Sequence, residues 1–446
     1  MATYTAGSLS ANGARTPGVS ATDFHSRRLF DFSDRIADLS PEESPFFVYL
    51  SKVGKVPTSD SQFRFLEDRT KISIADRAFL AAGGFTAAAV GATASAEFDT
   101  TGGASVDWLV PGMVISCGTV DTGTAQPEWC TVRIESVVDS GSSSTAQVRT
   151  IAKASAAALT VPDNAKCTVI GTAFEEGTGA PDVWSQKLEN DYGYTQIFKT
   201  ACEMSNTSRA TVYRGYADEW QRIWNLKLRE HKVDIERAML FGMRASTNSI
   251  QYTDGIVGHI IANSQASFKD DTEQLAYTED KGYLKTVTAA NWSYDDLLSD
   301  FEVIFDPARG GTASKLALAS LPVVSHFNKL GGFVSSSIDG TPGNYNFERS
   351  QGAFGHKVMK IETIHGDLSM VKEPLFRGNS AGFLAMVDLD HVSYRPLVGN
   401  GMNRDTSITT NVQQADEDLR KDMILTEAGL EVSLPETHAL IHLQAV

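Results

Sequence analysis

The feature that most constrains this chain is a long segment, from Phe85 to Thr172, whose composition differs from everything around it. It is poor in Lys and Arg, rich in Gly, Ser, Thr and Ala, and carries short β-like runs separated by Gly/Ser clusters. The stretches on either side, 62–67 and 192–198, alternate polar and apolar residues with the period of half-buried strands, and we expect them to pair as a long hairpin. Residues 85–172 are therefore predicted to form a small β-barrel or sandwich inserted into that hairpin.

The N-terminal residues 1–45 hold only scattered apolar side chains, among them Phe24 and Phe30. Such a segment cannot bury enough surface to offset the entropy lost on ordering. We expect it to be an arm that becomes ordered only against something outside its own fold. Forty extended residues reach roughly 130 Å, which is enough to cross a neighbouring subunit.

Residues 207–241 show the strongest helical pattern in the chain. Aromatic and apolar residues, including Trp220 and Trp224, recur at three/four spacing, no Pro interrupts them, and Gly242 follows. Ser205 or Asn206 is the expected N-cap. The pattern predicts one continuous helix of roughly 50 Å, longer than a small domain is wide. A helix of that length is expected to pack along a sheet or against other subunits.

The last third of the chain mixes helices with strands, which predicts the α+β class. Ser293 is expected to cap a helix over 294–305, and a second helix is predicted over 322–330, ended by Gly331 and Gly332. Strands are predicted at 357–362, 368–371, 382–389 and 437–443.

Composition excludes several functional classes. The 446 residues carry 39 Lys+Arg and 55 Asp+Glu, a formal net charge of −16, which is the wrong sign for gripping phosphates and argues against specific nucleic-acid binding. No apolar run is long enough to cross a membrane, and the N-terminus lacks a signal-peptide pattern. The four cysteines are far apart in sequence (117, 130, 167 and 202), so neither a disulfide framework nor a zinc site is predicted, and a reducing compartment is expected.

One motif suggests catalysis. Residues 378–382 read G-x-S-x-G around Ser380, with Asp388, His391 and His438 following in the order of a hydrolase triad. That motif requires a strand before the serine and a helix after it, whereas a strand is predicted to follow, so a hairpin is the favoured interpretation and a serine hydrolase the alternative. His438 and His442 would lie about 13 Å apart on a strand, too far to share a metal ion. No catalytic residue, cofactor-binding residue or metal ligand is predicted, and the protein is expected not to be an enzyme.

Four sequence segments together resemble the major capsid proteins of tailed bacteriophages, which have the Hong Kong 97 fold. They are LSPEESPFF at 39–47, HKVDIERAMLFG at 231–242, DGIVG at 254–258 and AMVDLDHVSYR at 385–395. They look like a capsid subfamily that carries a β-barrel inside its extended loop. The resemblance covers most of the chain outside residues 85–172.

The resemblance implies a domain organisation. Residues 1–45 would be the N-terminal arm, 46–84 with 173–202 the extended loop, and 85–172 the inserted barrel. Residues 203–290 with 385–446 would form the peripheral domain, with its spine helix at 207–241, and 291–384 the axial domain.

It also implies a function: self-assembly, as hexamers and pentamers, into the icosahedral head shell that encloses packaged double-stranded DNA. The expected location is the virion capsid, assembled in the host cytoplasm, and the expected partners are other copies together with portal, scaffolding and cement or decoration proteins. A shell-forming nanocompartment protein is the alternative within the same fold. The predicted interface residues are aromatic: Phe24, Phe30, Phe63, Phe65, Tyr192, Tyr194, Trp220 and Trp224.

Overall fold

A computed structural model describes residues 46, 50, 55–68, 78–82, 84–99, 109–118, 129–139, 144–153, 159–162, 165–181, 188–213, 218–264, 282–336, 347–351 and 357–444. The predicted arm, with Phe24 and Phe30, lies outside these residues. Phe46, inside the stretch 39–47 that resembles the capsid proteins, and Leu50, three residues beyond it, are helical and fully buried.

The described part of the chain contains both helices and strands, and β1 to β11 all precede α1. The helices are α1 (Asn206–Ala210), α2 (Glu219–Phe241), α3 (Ile256–Asn263), α4 (Tyr294–Ile304) and α5 (Leu321–Ser336). The strands are β1 (Gln62–Glu67), β2 (Ala78–Ala82), β3 (Phe85–Ala87), β4 (Thr93–Asp99), β5 (Met113–Gly118), β6 (Trp129–Asp139), β7 (Ser144–Lys153), β8 (Leu159–Val161), β9 (Ala165–Thr172), β10 (Glu189–Tyr194), β11 (Gln196–Ser205), β12 (Ala245–Thr247), β13 (Ile250–Tyr252), β14 (Tyr283–Thr288), β15 (Ser314–Ala319), β16 (Phe347–Gln351), β17 (Lys357–Glu362), β18 (Asp367–Lys372), β19 (Phe383–Val387), β20 (Val392–Pro396), β21 (Val398–Gly399), β22 (Met402–Asn403), β23 (Ser407–Thr409), β24 (Leu419–Val432) and β25 (Ala439–Gln444). Within the described residues, no helix is both long and apolar enough to cross a bilayer.

A seven-stranded mixed sheet, in the order β14-β25-β19-β15-β18-β17-β16, is the largest sheet of the described chain. Its central strands are apolar on both faces. On β15, Leu316 and Leu318 join one buried cluster with α2 and α3, while Ala317 and Ala319 join another with α4 and α5. Because helices cover both faces, these strands read as continuous apolar runs.

The division between axial and peripheral domains stays a prediction, and this sheet contains residues from both sides of the predicted boundary. The boundary between residues 384 and 385 falls inside β19, and the C-terminal strand β25 pairs with both β14 and β19. β25 therefore belongs to the seven-stranded sheet. A separate sheet forms from β11, β24, β20 and β23, and α2 packs against its strands β11 and β24.

The predicted hairpin is confirmed for its first half only. β1 pairs with β10 in antiparallel register, from Gln62 opposite Tyr194 to Glu67 opposite Glu189. The chain then changes partner at the buried residue Thr195, whose N–H donates to the Ser61 carbonyl (2.9 Å). From Gln196 onward it pairs with β24, opposite Ala428. The predicted strand 192–198 is therefore divided between two sheets.

The prediction of one continuous helix over 207–241 is wrong, because the helix is interrupted between α1 and α2. Ser205 caps α1, as expected, but Thr211 is already extended (ψ 132°) and ends it. The Asp218 carboxylate then caps α2 by accepting from the backbone N–H groups of Trp220 and Gln221. Val212 lies outside both helices with 95% of its surface exposed. The apolar spacing thus predicted one helix, whereas the N-cap at Asp218, which was not recognised, begins a second one.

The two helices predicted in the last third form, one of them with different ends. α4 begins after Ser293 in a capping box with Asp296. α5 runs on through Gly331 and Gly332 to Ser336, so the predicted stop at those glycines is wrong. Glycine ends a helix when it adopts the left-handed backbone conformation just after the last turn. Inside a helix, glycine lowers stability by only about 1 kcal/mol relative to alanine.

Six strands of the segment between β1 and β10 pair in a closed ring, in the order β2-β4-β7-β6-β5-β9. β2 completes it by pairing with both β9 and β4. The ring thus begins at Ala78, before the predicted boundary at Phe85. Its interior residues, with those of the β3–β8 pair, form an apolar cluster separate from the two clusters of the seven-stranded sheet.

Candidate assembly surfaces

The β1–β10 pair, called the ribbon below, presents two different faces. Phe63 turns inward, is only 5% exposed, and lies opposite Gly193 with the Arg395 guanidinium 5.6 Å from its ring. A Cβ at Gly193 would lie 2.5 Å from the Phe63 ring, so the ring occupies the space a side chain would need. Phe65 lies on the same inner face, opposite Asp191. The ribbon therefore packs on its own subunit through the predicted residue Phe63, while Phe65 is partly buried on the same face.

The outer face of the ribbon is defined by Leu66, Tyr192 and Tyr194. Leu66 is 66% exposed and Tyr192 is 39% exposed. The two tyrosine rings contact edge to face at 5.6 Å, and Arg244 fixes Tyr192 with its guanidinium 4.6 Å from the ring and an ion pair to Asp191. This face also carries Gln62, Arg64 and Asn190, so it combines exposed aromatic and apolar side chains with polar ones, a composition that suits a protein contact.

The N-terminal half of α2 is a second incompletely covered surface. Trp220 and Trp224 stack with ring centroids 6.5 Å apart, and the Arg420 guanidinium lies 4.9 Å from the Trp220 ring. Both tryptophans are half-buried, and the first fully buried residue of the helix is His231. These two predicted residues thus pack partly against β24 of their own chain and leave the rest of their surface open.

The residues of the hydrolase alternative are each held in other interactions. The Ser380 hydroxyl donates to the Arg377 carbonyl (3.0 Å) within a short 3₁₀ turn, so the elbow does not form. The predicted hairpin does not form either, because β15 lies between the two strands that flank this turn, β18 and β19. His438 Nδ1 accepts from the Asp388 N–H (3.1 Å), and burial lowers the pKa of His438 to about 3, which keeps it neutral. Asp388 accepts from the Thr312 N–H and lies 3.7 Å from the buried Lys315 ammonium. These groups stabilise the fold around β15 and β19.

Metal binding finds no support in the described part of the chain, where no group of three or more His, Cys, Asp or Glu side chains could hold an ion. His442 lies on β25, as expected for a strand, and packs edge to face on Phe383 with ring centroids 5.1 Å apart.

A buried pair of glutamates connects the segment around residue 46 to the body. The Phe46 N–H donates to Glu236 Oε1 (2.8 Å), and the Glu236 carboxyl is hydrogen-bonded to that of Glu373. Glu373 also accepts from the Leu375 N–H (3.1 Å). Burial raises the pKa of Glu373 to about 7. Sequence reasoning missed this pair because its members are far apart in the chain.

Three of the four cysteines, which are far apart in sequence, are neighbours in the closed ring of strands. Cys117 on β5 lies directly opposite Cys130 on β6 and opposite Cys167 on β9. All three are buried, and Cys202 is buried separately on β11. The alternation within each short strand places its cysteine on the inward face. Only the order of the strands shows that the three cysteines are neighbours.

Comparison with known proteins agrees with the resemblance seen in the sequence. Residues 11–444 match the model described as SU10 major capsid protein. A major capsid protein of Pseudomonas phage PaMx41 is 24% identical over 242 residues, covering 53% of this chain and 53% of that protein. The chain thus aligns with about half the length of that relative.

Two solved structures show a distant similarity. One, from Microbacterium phage Oxtober96, is 12% identical with a TM-score of 0.45 and covers 96% of this chain and 100% of that one. The other, the capsid of a native GTA particle, is 10% identical with a TM-score of 0.43 and covers 97% and 100%.

The family match extends over nearly the whole chain and defines the class as major capsid proteins. The chain belongs to the SU10 major capsid protein family. The predicted resemblance to phage capsid proteins is thereby confirmed, and so is the mixture of helices and sheets.

Proposed function

We propose that this chain is the repeating subunit of the icosahedral head shell of a tailed phage, assembled in the host cytoplasm as hexamers and pentamers around double-stranded DNA. The observation that carries the proposal is the match to the major capsid family over residues 11–444. The fold is then the Hong Kong 97 type. A shell built from repeated copies needs the same patches to recur around each symmetry axis, and none of its contacts requires an active site.

The ribbon is the first of those patches. Its inner face packs on its own subunit through Phe63, while its outer face, with Leu66 and Tyr192, remains open. A two-stranded ribbon is marginal alone, so a neighbouring copy that covers the outer face would stabilise it. The ribbon would then be part of the extended loop proposed at 46–84 with 173–202, and the arm 1–45 would lie on a neighbour in the same way.

The N-terminal half of α2 is the second patch. Trp220 and Trp224 would complete their burial against an adjacent subunit, in keeping with the enrichment of Trp at protein interfaces.

The net charge of −16 suits a shell along whose inner surface packaged DNA must slide, because an acidic wall does not bind phosphates.

The barrel would be an inserted domain that projects from the extended loop. Its apolar cluster is separate from those of the main sheet, and its strands β2 and β9 pair from Ala78 opposite Thr168 onward, so the domain enters and leaves at one place. An insertion of this kind leaves the host fold intact. Portal, scaffolding and cement proteins are the partners expected of such a shell.

Replacement of an exposed apolar residue on the ribbon tests the proposed interface. Leu66→Asp places a charge on the outer face and should block shell formation while leaving the subunit's melting temperature unchanged. Val90→Asp is the matched control, because Val90 is 65% exposed, much like Leu66, but lies in a barrel turn. Electron microscopy of both variants should show shells for the control only. Shells of normal size from Leu66→Asp would contradict the proposed contact.

A further inference from the structure

The barrel holds three thiols in a row across adjacent strands. Cys117 on β5 is the register partner of Cys130 on β6 and of Cys167 on β9, and the Cys167 thiol lies 3.1 Å from the Cys117 sulfur. All three are at most 1% exposed. We propose that these residues form a dithiol–disulfide site, which oxidises to a single intramolecular disulfide that always contains Cys117.

The geometry allows a bond on either side of Cys117. Register partners in an antiparallel pair have Cα atoms about 4.5–5.5 Å apart, within the range that a disulfide spans. The Cys117 and Cys167 sulfurs, at 3.1 Å, need to approach by only about 1 Å to reach bonding distance.

The same geometry forbids the third pairing. Cys130 and Cys167 lie on the two strands that flank β5, so they are separated by two strand spacings, about 9.5 Å. A disulfide cannot bridge Cα atoms more than about 7 Å apart. The two outer cysteines are therefore alternative partners for the middle one.

The hydrogen bonds among the thiols give them different reactivities. The hydrogen bond with Cys117 lowers the pKa of Cys130, and the same contact, together with those to Cys167 and burial, raises the pKa of Cys117 well above its usual range. Because the thiolate is the reactive form, Cys130 is the first nucleophile of the three.

The position of the thiols within their strands gives an oxidant its access. Cys117 is the penultimate residue of β5, Cys130 is the second residue of β6 and Cys167 is the third of β9. All three thus lie near one end of the barrel, where strand ends open at a lower free energy than the middle of the sheet.

The oxidant is a low-molecular-weight disulfide of the glutathione type. The Cys130 thiolate attacks one sulfur of that disulfide, whose S–S bond breaks and releases one external thiolate. The Cys117 sulfur, losing its proton, then attacks Cys130 and displaces the second external thiolate. The two protons from the protein thiols end on the two released molecules. The protein thus loses two protons and two electrons, and the external disulfide is reduced to two thiols.

Exchange then distributes the bond between the two possible partners. The Cys167 thiolate can attack Cys117 and release Cys130, with no net oxidation. Oxidation would follow release of the particle from the reducing host cell into oxidising surroundings. That timing rests on the proposed capsid function, whereas the chemistry of the site does not.

Thiol counting after treatment with oxidised glutathione tests the site. The full-length protein should keep two of its four thiols, and peptide mapping without reductant should find Cys117 joined to Cys130 or Cys167. Cys117→Ser should keep all three remaining thiols. Cys130→Ser and Cys167→Ser should each form the one disulfide left to them, and Cys202→Ser, the matched buried control, should oxidise like the parent. The disulfide should raise the melting temperature of the barrel by roughly 10 °C.

Several outcomes would overturn the proposal. They are four intact thiols in the parent protein after prolonged oxidation, a disulfide in Cys117→Ser, or a bond that involves Cys202 or a second subunit. If Cys117→Ser fails to fold, the maps of the parent and of the two outer variants still decide the matter. The assay uses unassembled subunits and particles separately, so a failure to assemble is distinguishable from a failure to oxidise.

Discussion

The backbone N–H of Phe46 donates a hydrogen bond of 2.8 Å to the carboxylate of Glu236, 190 residues later in the chain. Glu236 lies on α2, and its buried carboxyl interacts with that of Glu373, which follows β18. One buried carboxyl pair thus connects the segment that follows the arm, the long helix and the main sheet.

This pair predicts a dependence of stability on pH. The pKa of Glu373 is about 7 in the folded protein against 4.5 ordinarily, so the folded state binds more protons between these values. The free energy of unfolding should therefore fall as the pH rises through this window, by ~3 kcal/mol in total. Urea denaturation near pH ~5 and ~8 measures the change.

The isosteric variant Glu373→Gln removes the titration but can still donate to Glu236. The free energy of unfolding of this variant should vary less with pH across the same window. At the alkaline end it should exceed that of the parent. Glu302→Gln, at an exposed position on α4, is the matched control and should keep the slope of the parent. An unchanged slope in Glu373→Gln would show that the pair does not titrate there.

The contact between Phe63 and Gly193 predicts a strong effect of one added methyl group. The ring cannot move aside easily, because a Cβ at Gly429 would also lie 2.8 Å from it. Gly193→Ala should destabilise the subunit by about 1–3 kcal/mol, the cost of overpacking a buried site. Gly171→Ala, also within a strand but with nothing within 4 Å of its Cβ, is the control. Equal melting temperatures for the two variants would contradict this packing.

The cap of α2 predicts a smaller effect. Asp218→Ala removes the acceptor for two backbone N–H groups and should cost about 1 kcal/mol in the free energy of unfolding. Asp416→Ala, at an exposed position, should change little. If Asp218→Ala matched that control in urea denaturation, the break between α1 and α2 would need another cause.

Because six strands of residues 78–172 close on one another, we expect that this segment can be removed from the subunit as a unit. Replacement of residues 78–172 by a short Gly/Ser linker should leave the melting of the remaining subunit unchanged, because the ring has its own apolar cluster and its first and last strands are paired. Calorimetry of the parent and of the deletion variant measures this, and the parent should show one additional transition. Insoluble protein would mean that the barrel packs into the main core.

Local patterns predicted the elements that local interactions determine. The capping box at Ser293 and the alternation in 62–67 gave α4 and β1, because both signals come from neighbouring residues. The break before Asp218 competed with a strong apolar spacing and was missed, although an acid before a helix is a cap signal.

Contacts between distant residues could not be predicted in the same way. The membership of β25 in the main sheet, the Glu236–Glu373 pair and the three neighbouring cysteines all depend on strand order, which no local pattern specifies. For the ribbon, alternation shows that the two sets of side chains lie on opposite faces. It does not show that Phe63 faces its own subunit while Tyr192 faces outward.

The most direct test of the central claim is negative-stain electron microscopy of the purified full-length protein, with light scattering alongside and, where needed, its scaffolding protein. We expect rings of five or six subunits or closed shells of uniform diameter. A monomer that persists at every salt and protein concentration, with the scaffolding protein present, would contradict it.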